Sequence, residues 1–117
     1  ALHHKLCHTL GGTFNLPHAE THTIVLPHAL AYNRDAAPAA MKRIARALNA
    51  DDAAQAVFDL AHDHGAPTAL KDIGMRAADI DIALDVALQN PYWNPRPIER
   101  EPLRALLDAA FEGRRPT

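Results

Sequence analysis

The sequence predicts an all-α domain, a bundle of about six or seven helices, on three observations. Apolar residues recur at i, i+3, i+4 and i+7 in nearly every segment, no alternating run of β-branched residues competes with that period, and Gly, Pro and Asn punctuate the segments where helices should stop. A chain of 117 residues is enough for one domain with a real core.

The first helix runs to about Asn15, with Leu2, Leu6 and Leu10 repeating every four residues beside His4 and His8. Gly11 and Gly12 weaken its end, and their lack of side chains lets another backbone or a flat ring come close. A second helix is expected from Pro17 to about Tyr32. Ile24, Val25, Leu26, Leu30 and Ala31 cover so wide an arc that it must be buried on more than one side, and Pro27 should kink or split it. Pro38 suits the first turn of a third helix, whose Met41, Ile44, Ala45 and Leu48 form one stripe and which stops at Asn49.

Asp51 or Asp52 caps the fourth helix, Asp52 and Gln55 having capping-box spacing. Its buried stripe is Ala54, Val57, Phe58 and Ala61, and Gly65 closes it. A short helical stretch from Pro67 to Gly74 precedes a helix carrying Ile80, Ala83, Leu84, Ala87 and Leu88, which Asn90 and Pro91 terminate. The connector from Asn90 to Pro97 is proline-rich and extended, with Trp93 as its expected anchor to the core. The last helix begins at Pro102, buries Leu103, Leu106, Leu107, Ala110 and Phe111, and ends at Gly113.

Charge excludes some functions. With 12 Lys+Arg against 14 Asp+Glu the net charge is −2, which gives no case for nucleic acid or an anionic membrane. Lys42, Arg43, Arg46, Arg114 and Arg115 read as solvated faces. No apolar run approaches the roughly 18–20 residues needed to span a bilayer. The single cysteine, Cys7, cannot form an internal disulfide, so the expected compartment is the cytoplasm, with Cys7 packing as a small hydrophobe. Helical spacing already runs at Ala1 with no capping residue ahead of it, which reads as a cut through a helix and hence as a fragment, residues 1–117, of a longer chain.

Chemistry concentrates near the start, where residues 1–33 hold six of the eight histidines. Imidazole titrates near neutrality and ligates borderline metals. His4 and His8 are four apart and share one helix face; Cys7, three after His4, shares it too. His18 follows Pro17 after the Gly11-Gly12 pair, and a helix pair folded back there brings it toward His4. His22 lies one turn beyond His18 and can line the same cavity, whereas His3, adjacent to His4, points elsewhere. The competing reading is that these are hydrogen-bonded structural histidines, and spacing does not decide between the two.

The run His4-Lys5-Leu6-Cys7-His8-Thr9-Leu10-Gly11-Gly12, then Pro17-His18 and Leu26-Pro27-His28-Ala29-Leu30-Ala31-Tyr32-Asn33, resembles the C-terminal helical domain of the iron-containing (group III) alcohol dehydrogenase family over essentially the whole chain. Residues 2–8 and 90–97 are most similar to its maleylacetate reductase branch. The resemblance implies a two-domain oxidoreductase whose N-terminal α/β nucleotide-binding domain is absent from these residues. It also implies NADH or NADPH, bound mainly by that domain, a small dicarboxylate substrate, and a homodimer of the full-length protein. In members that hold iron or zinc, four ligands bind the metal, and two of these correspond to His4 and His18; the other two, an Asp and a His, are not in this chain. His8 matches a histidine beside the metal to which proton transfer or cofactor positioning is attributed. In the reductase branch the histidines themselves can form the polar lining without metal. His4, His18 and His22 are then the expected substrate-binding residues, with His8 catalytic. Many family members have Gly where this chain has Ala19. Two other readings stand beside this one: a metal-dependent alcohol dehydrogenase acting on an aldehyde or ketone, and a non-catalytic helical interaction module.

Overall fold

The computed structural model describes residues 2–89 and 94–117. Among these every regular element is helical: α1 (Leu2–Phe14), α2 (His18–Asn33), α3 (Pro38–Ala47), α4 (Ala53–Asp63), α5 (Asp79–Gln89) and α6 (Arg100–Glu112), with 3-10 turns at Arg34–Ala36 and Leu70–Ile73. The all-α expectation holds. No helix among the described residues is long and apolar enough to cross a membrane.

Helix α2 is the axis of the bundle, packed against α1, α4 and α6. That explains its composition. A helix touched on several sides needs apolar residues around most of its circumference, and Ile24, Val25, Ala29 and Tyr32 are all buried. Pro27 neither splits nor ends α2, which runs unbroken through it; burial of the surrounding side chains outweighs the one hydrogen bond that proline removes. Leu2, Leu6 and Leu10 of α1 are no more than 1% exposed, each contributing about 1.5–3 kcal/mol by leaving water. They hold α1 against α2 and α5.

Local signals account for most element ends. The Asp52 carboxylate accepts the Gln55 N–H at 2.8 Å and caps α4. The reciprocal half of the expected capping box is missing, because the Gln55 amide donates instead to the Pro116 carbonyl at 2.8 Å and fastens the C-terminal tail. Gly65, Gly74 and Gly113 all have positive φ at the ends expected. Gly113 is required twice over: its φ is +76°, and a Cβ there would lie 2.9 Å from the Ala69 Cβ.

Several expectations are corrected. Helix α6 starts at Arg100, so Pro102 lies within its first turn, where the missing N–H costs nothing. Between Pro67 and Gly74 only Leu70–Ile73 are helical, as a 3-10 turn. The α3 stripe is shallow: Ala45 is its only buried residue and Leu48 is exposed, since among the α-helices α3 packs mainly against α4. Arg115 is solvent-exposed as expected and also pairs with both Asp59 carboxylate oxygens at 2.9 and 2.7 Å.

Asn90, Pro91 and Trp93 lie outside the described residues, and with them the expected helix stop and the expected anchor. The described part of the connector is held from α2. The Tyr32 hydroxyl donates to the Pro97 carbonyl at 2.7 Å and accepts the Glu99 N–H at 3.2 Å. Asn33 and Asn94 exchange amide hydrogen bonds, and the Arg96 guanidinium lies 4.3 Å above the Tyr32 ring.

Candidate functional site

The turn between α1 and α2 builds the site. Asn15 takes a left-handed conformation, φ 55°, and its N–H closes α1 on the Gly11 carbonyl at 3.0 Å. Leu16 is buried, and Pro17 is extended, φ −59° and ψ 131°, so the chain reverses and α2 begins at His18. Thr21 binds the Pro17 carbonyl through both its N–H and its hydroxyl, which fixes that first turn.

An open cleft of about 270 Å³ results, lined by Cys7, His8, Gly11, Gly12, Leu16 and His18. A Cβ built on Gly11 or Gly12 meets no atom within 4 Å, so the two glycines leave one wall open to an incoming group.

His8 and His18 both reach this cleft. His4 does not line it but packs against His8, with ring centroids 4.3 Å apart and planes tilted by 56°. His22 likewise does not line it and packs against His18, with ring centroids 4.1 Å apart and planes tilted by 51°. The cavity expected to take all four imidazoles is thus lined by two, His8 and His18, each in contact with one of the others.

His3 points away from the cleft, as its adjacency to His4 predicts, and meets α2. Its ring meets His22 edge-on at 4.9 Å, and its Nε2–H donates to the His22 carbonyl at 3.1 Å. A carbonyl only accepts, so this bond fixes the His3 tautomer. The four-residue step from His3 to Cys7 was the available signal, and it marks a second α1 face directed at α2.

The five rings form one electrostatic neighbourhood. Burial first, and then the imidazoles of His18, His3, His4 and His8, push the His22 pKa below the usual histidine value. His3 is also held low, chiefly by burial. Burial pushes the Cys7 thiol up to about 12, so this thiol is protonated near neutrality. The His22 Nε2 is buried with no hydrogen-bond partner among the described residues. His4 and His18, the two residues that the resemblance matches to metal ligands, are exposed and carry no ring hydrogen bond among the described residues. Two imidazoles fit half of a coordination shell for iron or zinc.

An all-helical domain that opens a glycine-walled cleft between imidazoles of its first two helices offers a candidate ligand site. Residues 1–111 match the model of the Fe-containing alcohol dehydrogenase family, C-terminal, and the chain belongs to that family as its helical C-terminal domain. It is 59% identical, over all of its length and 33% of the relative's, to a maleylacetate reductase of Pseudomonas knackmussii. Among crystal structures it superposes with a TM-score of 0.97 and 70% identity on a candidate alcohol dehydrogenase of Ralstonia eutropha JMP134, covering 100% of this chain and 34% of that one. It superposes with a TM-score of 0.94 and 50% identity on the maleylacetate reductase of Agrobacterium tumefaciens, covering 99% and 33%. The chain spans about a third of the length of these relatives.

Proposed function

We propose that this chain is the active-site helical domain of an NAD(P)H-dependent maleylacetate reductase, completed by a nucleotide-binding domain outside these residues and working as a cytoplasmic homodimer. The observation that carries the reading is the cleft itself, with His8 and His18 on an open glycine wall. The identity to maleylacetate reductases over the whole chain adds to it.

The reaction adds hydride from the nicotinamide to the alkene carbon β to the ketone of maleylacetate. The electron pair of the C=C bond moves to the ketone oxygen as an enolate, and a proton delivered to the adjacent carbon completes 3-oxoadipate. Negative charge develops on one oxygen, so a hydrogen-bond donor must stand beside it. His8, exposed and at the cleft, fills that role and serves as the proton source. His18 opposes it and receives a substrate carboxylate. The N-terminus of α2 adds to this, since it starts at His18 with no side-chain cap. His4 supports His8 from one turn away, and His22 acts on substrate only through the His18 ring packed against it. His4 and His18 would also hold an iron or zinc ion together with ligands outside this chain, and the ion would supply Lewis-acid polarisation of the carbonyl.

The test is an assay of the full-length protein, stripped of metal, with maleylacetate and NADH or NADPH. Nicotinamide oxidation coupled to 3-oxoadipate formation is the expected result. Reduction confined to aldehydes or ketones, and only with iron or zinc restored, would instead establish an alcohol dehydrogenase, the reading that the Ralstonia eutropha structure favours.

A further inference from the structure

One cluster is not absorbed by the cleft. A ring nitrogen of His3, the Cys7 Sγ and a ring nitrogen of His22 all lie within 4.8 Å of one another. None of the three is a residue that the family resemblance matches to a metal ligand.

Helix geometry places them. His3 and Cys7 are four residues apart on α1, so their side chains stack on one face. Thr21, pinned to the Pro17 carbonyl, fixes the first turn of α2 and so brings His22 over that face. The His22 Nε2 is a buried polar atom without a partner among the described residues, which carries a desolvation cost unless something binds it. The His3 Nε2–H is committed to the His22 carbonyl, which leaves the lone pair of its neutral ring on Nδ1. Two neutral imidazoles and a thiol form the donor set of a thiophilic borderline ion, whereas a magnesium- or calcium-type ion would demand oxygen ligands. Cys7 also lines the cleft, which gives an ion a way in.

The geometry points to a second metal site, His3–Cys7–His22, which binds Zn²⁺ or a similar thiophilic divalent ion through three protein ligands and an open fourth position. Binding replaces the Cys7 S–H proton by the metal, so one proton leaves for each ion bound. The inference does not depend on the reaction proposed above.

Cobalt tests it, because Co²⁺ occupies zinc sites and its bond to a thiolate gives a near-ultraviolet charge-transfer band that nitrogen ligands do not give. The full-length protein, reduced and stripped of metal, is titrated with Co²⁺ and then with Zn²⁺. The expected result is such a band, bleached by Zn²⁺ and saturating at one equivalent where the other candidate centre is disabled. It should be lost in Cys7→Ala and His22→Gln, and retained in His4→Ala, which disables the other candidate centre. Circular dichroism selects variants that keep the native fold, and His3→Gln, expected to weaken Co²⁺ binding at least tenfold, provides a third route. Absence of the band, its persistence in folded Cys7→Ala or His22→Gln, unweakened binding in His3→Gln, or its loss in folded His4→Ala would each overturn the assignment.

Discussion

Acidification should expose a histidine that the fold keeps neutral. His28 lies within α2, 4% exposed, with its ring edge-on to Phe58 of α4 at 6.4 Å between centroids and its Nε2 buried without a partner among the described residues. Burial lowers its pKa from 6.5 to about 4. The unfolded chain therefore binds the proton more tightly than the folded one, so the stability due to a neutral His28 is complete above pH 6.5 and drains away as pH falls toward 4. The whole gap corresponds to about 3 kcal/mol, of which about 2 kcal/mol is lost between pH 7 and pH 5. Urea denaturation of the protein and of His28→Leu at those two pH values measures it. Packing changes caused by the substitution cancel in the difference between the two conditions, as do the similarly depressed His3 and His22. His28→Leu should lose about 2 kcal/mol less than the parent on acidification; equal losses would refute the account of His28 as a buried neutral base.

Other outcomes follow from single contacts. Gly113→Ala forces a Cβ against Ala69 at positive φ and should cost about 1–3 kcal/mol, read as a lower Tm. Asp52→Ala removes the α4 cap together with the 3.0 Å ion pair to Arg34, and should cost about 1–2 kcal/mol in urea titration, whereas Asp51→Ala should be nearly silent. Tyr32→Phe deletes the hydroxyl that ties Pro97 and Glu99 to α2 and should lower stability by about 1 kcal/mol, measured the same way. In the full-length enzyme, His8→Ala should lower kcat more than it raises KM, as expected of a group acting in the transition state; the reverse pattern would make His8 a substrate-binding residue.

The cleft joins the fold to the chemistry. Both of its imidazole walls depend on a three-residue turn, Asn15 to Pro17, that reverses the chain after the glycine pair, and the apolar residues around it bury their side chains without closing it. The proposed reaction brings a nicotinamide and a dicarboxylate together, and the open space beside Gly11-Gly12 suits their entry.

Helical period, caps and stops are properties of residues within about one turn of each other. For that reason the helices, the Asp52 cap, the left-handed glycines and the His4–His8 pairing were legible from the letters of the chain. So was the wide apolar arc of α2, which called for burial on more than one side. The partners of each face were not legible, because they depend on how helices cross and on contacts between residues far apart in the chain. Only packing turned His3 toward His22, drew the Gln55 amide to Pro116, left Leu48 in solvent and paired Arg115 with Asp59. The same packing put His4 and His22 one ring behind the cleft, since spacing along a helix says which side chains share a face but not what that face meets.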